Sequence, residues 1–224
     1  MDSKDKFRVF VFSKTEGYRH ESIGAGIESI RRLGASSEMF GVDATEDASL
    51  VNTENLSQFA VVIFLQTSGD FLNREQLAAL QSYIRNGGGF VGIHCAADGM
   101  TKEPWYGQLV GAVFTDHPKP QNGVVMVENR DHVIVSSLEA QWPWFDEWYN
   151  FSANPRSKVT VLLSINEGFY EGGRMGNDHP LAWCREFDGG RSFYTSLGHF
   201  GEAYEDQRFL GHILNGILWA AYKV

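Results

Sequence analysis

The chain has 224 residues, 43% of them hydrophobic and 21% charged, with a net charge of −9 and two cysteines. That length is enough to bury a substantial core, and the acidic balance argues against a phosphate-backbone partner or an anionic lipid surface. No run approaches the ~18 apolar residues of a membrane span. The apolar stretch in MDSKDKFRVFVF is too short for a signal peptide and reads as a first strand. Cys95 and Cys184 belong to no Cys-x-x-Cys pair, so no disulfide framework is expected, and the setting inferred is a reducing cytoplasm.

Phe7–Ser13 (FRVFVFS) is a continuous apolar run, as expected of a strand buried on both faces. A loop, KTEGYRH, follows, and Glu21–Leu33 then carries Ile23, Ile27 and Ile30 at helical spacing. Ser37–Val42 reads as a second strand and Ala60–Gln66 (AVVIFLQ) as a third, closed by Thr67-Ser68-Gly69. Arg74–Arg85 places Leu77, Leu80, Tyr83 and Ile84 on one helical face, with Gly87 as the stop. Phe90–His94 is the fourth strand. This alternation predicts right-handed βαβ units and a mostly parallel sheet flanked by helices. After residue 100 the rhythm changes. Gly123–Glu128, Val159–Ile165, Leu181–Phe187 and Ser192–Leu197 read as strands joined without long helices, the last two through an Asp188-Gly189-Gly190-Arg191 hairpin turn. Asp206–Tyr222 is a final helix. No linker or repeat interrupts 1–224, so a single α/β domain with an antiparallel extension is expected.

The segment GGGFVGIHCAADG (87–99) has the shape of a strand bending sharply into a helix, a bend that in hydrolase folds carries a nucleophile. Such an elbow crowds the positions two before and two after its tip. With His94 at the tip these are Gly92 and Ala96; with Cys95 they become Ile93 and Ala97. Spacing favours His94, leaving Cys95 as a small buried hydrophobe. The glycines at 87–89 precede a strand rather than open a helix, so they make no phosphate cradle, and no nucleotide fingerprint occurs.

Several blocks in order resemble the ThuA-like (trehalose utilisation) family: KTEGYRHESI (14–23), Thr67-Ser68-Gly69-Asp70, GGGFVGIHCAAD (87–98), WYGQLVGAVFTDHP (105–118), DEWYNF (146–151), NDHPLAW (177–183) and GRSFYTSLGH (190–199). The resemblance implies a flavodoxin-like fold of the class I glutamine amidotransferase type. It places His94 where the amidotransferase has its elbow cysteine, which implies loss of that cysteine chemistry. An alanine usually follows the elbow histidine in the family, so Cys95 is a departure.

Ligands of open α/β sheets sit outside the carboxyl ends of the strands. His20 follows the first strand, His94 and Asp98 the fourth, and His199 the last; these four are the candidate catalytic residues. His117 before Pro118 and His179 before Pro180, both read as loop residues, are candidate substrate contacts. So are Tyr18, Thr67, Gln121 and, in the loop Asp146-Glu147-Trp148-Tyr149 where two adjacent carboxylates stand beside aromatics, Glu147, Trp148 and Tyr149, because flat rings suit sugar faces and polar side chains suit sugar hydroxyls. His132 and His212 read as structural. Neutral imidazoles with carboxylates serve acid–base catalysis or hold a divalent cation. With no His-x-His or His-x-x-x-His pair, metal ligands would have to come from separate loops.

The leading expectation is a sugar-processing enzyme. What the ThuA resemblance implies is a link to trehalose-type disaccharides and their 3-keto derivatives. A ketone at C3 acidifies the C2 proton for a His or carboxylate base, and the enolate then expels the C1 substituent or reprotonates as an isomer, so lyase, hydrolase and isomerase outcomes all stand. Two alternatives stand beside it: a non-catalytic sugar- or partner-binding module, and a cysteine hydrolase acting through Cys95. The expected partner is a small carbohydrate, and a homo-oligomer is compatible with the sequence.

Overall fold

The computed structural model describes residues 6–224. The first five residues of the N-terminal stretch lie outside the described residues. Strand β1 (Phe7–Phe12) is followed by helix α1 (Ile23–Ser37), β2 (Phe40–Thr45), a short α2 (Thr53–Leu56), β3 (Val61–Leu65), α3 (Arg74–Arg85) and β4 (Gly89–Ile93). Then come α4 (Pro104–Val110), β5 (Phe114–Asp116), β6 (Gln121–Val127), β7 (Gln141–Asp146), β8 (Asn150–Phe151), β9 (Thr160–Ile165), β10 (His179–Phe187), β11 (Gly190–Thr195) and α5 (Gln207–Ala220).

Nine strands form one sheet in the order β2-β1-β3-β4-β11-β10-β9-β6-β7. The first five pair in parallel, in the flavodoxin-like order 2-1-3-4-5 with β11 as the fifth. The other four join by antiparallel pairing. Following the directions across, only β10 and β6 run against the rest, so β9 and β7 point the same way as the parallel half.

The continuous apolar runs have a direct cause. In β1, Val9 and Val11 enter one core with Ile63, Val91, Phe193, Ile30 of α1 and Ile213 and Ile217 of α5. Phe10 and Phe12 enter the other with Phe64, Phe90, Leu77 and Leu80 of α3 and Leu109 of α4. Both faces are covered, so every strand position must be apolar. Helix α3 opens on a capping box between Asn73 and Gln76 and closes where Gly87 turns to φ +89. The β10–β11 hairpin turns on Asp188 and Gly189 at φ +50 and +98, as a type I′ turn requires.

Three readings of the sequence shift. Strand β2 begins at Phe40 rather than Ser37, because α1 continues through Gly34, where a side chain would meet the Phe40 carbonyl at 2.5 Å. After β4 the chain makes a short 3-10 turn over His94–Asp98 instead of entering an α-helix at once. Strand β7 (QWPWFD) was not expected, since a proline argues against a central strand. It lies at the sheet edge, where Pro143 is tolerated. Its direction matters, because it delivers Asp146 and Glu147 to the same edge as the ends of β1, β3, β4 and β11.

Candidate functional site

At the end of β4, His94 adopts φ +51, a left-handed conformation that a sharp elbow demands and most residues avoid. His94 is therefore the tip. A side chain at position 92 would crowd Tyr194 at 3.0 Å and the Ala96 methyl at 3.4 Å, which explains the small flanks. The Tyr194 hydroxyl donates to the His94 carbonyl at 2.8 Å and clamps the bend. The Ser196 carbonyl lies 2.6 Å from His94 Nδ1. A carbonyl can only accept, so Nδ1 carries the proton and Nε2 offers its lone pair to the cleft.

Three other groups meet that nitrogen. His199 Nδ1 is 3.2 Å from His94 Nε2, and Glu147 Oε2 is 3.5 Å from it and 3.1 Å from His199 Nδ1. The His20 ring stands edge-on to both other imidazoles, with centroids 4.9 Å from each. One ligating atom from each of His20, His94, Glu147 and His199 lies within 4.8 Å of all the others. Burial, reinforced by the nearness of His94 and His199, lowers the His20 pKa to about 3, so this imidazole is neutral at ordinary pH. Burial alone would raise the Glu147 carboxyl, but the neighbouring His199 and His94 imidazoles outweigh it and hold the group well below the usual carboxylate range. Three imidazoles and one carboxylate are a donor set that could hold a transition metal.

Several residues that position this cluster carried no sequence signal of their role. Asp146 is buried and accepts from the Gly198 and His199 amides at 2.9 and 3.1 Å and from Trp144 Nε1 at 2.8 Å, which fixes the loop bearing His199. Gln66, buried at φ +53 just past β3, donates to the Gly198 carbonyl at 2.6 Å and to Ser22 Oγ at 3.0 Å. Ser22 in turn donates to the His199 carbonyl at 2.6 Å. The loops carrying His20 and His199 are thus tied together through Gln66. Its one visible cue was a polar residue ending the AVVIFLQ run.

The expected site residues divide. His20, His94, His199 and Glu147 form the cluster, so Glu147 is part of its centre rather than a peripheral sugar contact. His117 sits at the rim, 37% exposed, with Nδ1 3.1 Å from Glu147 Oε1. Tyr18 is exposed and edge-on to His20 at 4.8 Å. The buried Tyr149 ring lies against His94 at 4.2 Å. The others stand apart. Asp98 is half-buried beside Cys95, its carboxylate 4.0 Å from the sulfur, and is not among the four converging donors. Thr67 is wholly buried. Gln121 binds the backbone of Lys119 and Glu171 and so pins a loop. Trp148 is fully buried, its Nε1 donating to the Gln121 carbonyl at 3.1 Å, which makes it core rather than an open sugar platform. His179 opens β10 instead of lying in a loop. It is buried in a separate network with Tyr170 and Glu167, and its Nε2 donates to the Tyr149 carbonyl at 2.9 Å.

Cys95 is buried beside Asp98 and Tyr149 rather than beside a histidine. Its sulfur has no histidine partner among the described residues, and burial pushes the thiol up to about 12. A nucleophilic cysteine needs the opposite environment. Native protein at pH 8 is therefore expected to resist iodoacetamide at Cys95 and at the equally buried Cys184, and to react at both once unfolded. Mass spectrometry of the alkylated peptides checks this, and rapid labelling of native Cys95 would restore the hydrolase reading.

The family model described as trehalose utilisation, ThuA, matches residues 8–220. This chain belongs to the ThuA family. Among solved structures, a ThuA-like protein from Bacteroides uniformis is 28% identical over 96% of this ThuA chain and 91% of its own, with a TM-score of 0.81. A second, from Parabacteroides merdae, is 19% identical over 97% and 90% of the two chains, also at 0.81. A cytoplasmic protein from Salmonella typhimurium shares the fold at 14% identity and a TM-score of 0.69, covering 96% of this chain and 98% of that one. Comparison with curated protein sequences gives no match.

Proposed function

We propose that this ThuA-family protein is a cytoplasmic enzyme acting on a trehalose-type disaccharide or its 3-keto derivative by histidine and carboxylate chemistry, on a scaffold of the class I glutamine amidotransferase type. The carrying observation is the meeting of His20, His94, Glu147 and His199 from four separate strand ends at one sheet edge. The elbow position of His94 supports the amidotransferase-type scaffold, and two buried, unpaired thiols suit a reducing cytoplasm.

The chemistry follows from the sugar. A ketone at C3 acidifies the C2 proton. A base removes that proton, the electron pair forms an enolate, and collapse of the enolate expels the C1 oxygen, leaving a C1–C2 double bond conjugated to the ketone. The expelled oxygen takes a proton from an acid. The buried cluster is where charge on the enolate oxygen would be stabilised. His117, on the rim and paired with Glu147, is the group placed to carry protons between cleft and solvent. The second ring has a natural seat beside the cluster. Trp144, Phe145, Phe200, Glu202, Ala203 and Asp206 line a groove of about 500 Å³, within the range of small-molecule sites. Its Phe200 ring lies 4.4 Å from the His199 ring, so groove and cluster adjoin.

The test is incubation of the protein with 3-keto-trehalose, with products followed by mass spectrometry. Release of glucose together with an unsaturated or rehydrated keto-sugar is the expected result. Saturable sugar binding with no turnover would instead establish a binding module.

A further inference from the structure

We infer that His20, His94, Glu147 and His199 form a metal centre for one divalent first-row transition-metal ion, which makes the three buried histidines ligands rather than proton carriers. The inference stands on the arrangement and partners of these side chains and survives if the sugar reading fails.

Spacing is the first observation. The separations among His94 Nε2, His199 Nδ1 and Glu147 Oε2 are 3.2, 3.5 and 3.1 Å. An ion with metal–ligand bonds of about 2.0–2.2 Å sets neighbouring ligands in a tetrahedron ~3.3 Å apart. These three atoms therefore already describe one face around a common centre, and the fourth ligand, from His20, lies within 4.8 Å of each.

Hydrogen-bond accounting is the second. With the proton of His94 committed to the Ser196 carbonyl, Nε2 is an acceptor, and it faces Glu147 Oε2, which is also an acceptor. A single proton on His199 Nδ1 cannot satisfy both. No lysine or arginine pairs with Glu147 among the described residues. The third observation is His20. Its Nδ1 is fully buried without a partner, and neither ring nitrogen makes a hydrogen bond among the described residues. An unpaired buried polar group is costly. A cation at the centre resolves all three at once, giving every converging lone pair a partner and balancing a buried carboxylate.

The donor set also selects the ion. Imidazole-rich ligation with one carboxylate and no thiolate suits zinc, manganese, iron or cobalt over magnesium or calcium, which prefer all-oxygen sites. The supporting contacts are of the kind that orient metal ligands: a carbonyl on the far nitrogen of His94, and the Asp146 carboxylate under the backbone of His199. Because each ligand comes from a different strand end, the fold builds the site, and no short motif announces it.

The experiment strips the full chain with a chelator, dialyses it separately against Zn(II), Mn(II) and Co(II), and measures bound metal by mass spectrometry. About one ion per chain is expected for at least one of the three, and the Co(II) form should show visible ligand-field absorption characteristic of nitrogen and oxygen donors. His20→Ala and His199→Ala should each weaken binding by at least ~100-fold, the upper end of what losing even a supporting contact costs. Circular dichroism of the metal-free variants, compared with metal-free wild type, establishes that they fold. Absence of metal above background with all three ions, or folded variants that keep wild-type stoichiometry and spectrum, would overturn the inference. Metal uptake without turnover of 3-keto-trehalose supports this centre and removes only the sugar reading; turnover by protein that binds no metal does the reverse.

Discussion

Glu147→Gln is expected to lower kcat on 3-keto-trehalose by ~10²–10⁴-fold, the range for loss of a group that stabilises charge or moves a proton. Glutamine keeps the shape of the side chain but removes its charge. The carboxylate touches His94 and His199 through Oε2 and His117 through Oε1, so one substitution disturbs both the buried centre and the rim histidine. An amide would also turn a donor toward His94 Nε2 or His117 and change which nitrogens carry protons. Asp98→Asn provides the contrast. By sequence Asp98 is a catalytic candidate and Glu147 only a substrate contact, but the Asp98 carboxylate faces the Cys95 sulfur and stands outside the cluster. Its rate should fall by no more than about threefold, a surface-like effect. Steady-state kinetics on both variants, with melting curves to exclude unfolding, make the comparison. Near wild-type activity in Glu147→Gln would remove this cluster from the chemistry.

That contrast shows where sequence reading reaches and where it stops. The parallel half is legible because strands covered on both faces must be apolar throughout, as AVVIFLQ and FRVFVF are, and because α3 advertises its ends with Asn73, Gln76 and Gly87. His20, His94 and His199 are legible because each follows such a strand. Glu147 is visible in sequence as one of a carboxylate pair, but its placement depends on β7, whose central proline hides it. Once β7 is seen to run with the parallel strands, Glu147 arrives at the same edge. Pro180 argues for a loop at His179, but β10 accommodates that proline beside a register shift. Gln66 and Asp146 act on backbone groups far along the chain, Gln66 on Gly198 and Asp146 on His199. A polar residue whose partner is a distant amide or carbonyl leaves no local pattern, so only the fold reveals it.

The same stretch, Phe145-Asp146-Glu147-Trp148, supports a second large expectation that separates core from platform. Trp148→Ala should destabilise the protein by ~3–5 kcal/mol, the cost of emptying a buried tryptophan site. The indole is wholly buried, packs near Tyr170, and donates to the Gln121 carbonyl, so truncation leaves both a cavity and an unpaired acceptor. Gly123 lies so close that a methyl there would stand 2.8 Å from the indole ring, which leaves little slack for collapse around the void. Loss of activity would follow from displacement of the neighbouring Glu147. Phe145→Ala is expected to behave in the opposite way. That ring is 50% exposed and pairs with Phe200 at 5.3 Å on the groove beside the cluster. Stability should change by less than about 0.5 kcal/mol, as at other exposed positions. The KM for 3-keto-trehalose should rise severalfold with kcat nearly kept, because the ring contributes to binding in ground and transition states alike. Denaturant melts and kinetics on the two variants decide the matter. A stable Trp148→Ala with a raised KM would return Trp148 to the sugar platform, and an unchanged KM in Phe145→Ala would empty the groove of substrate.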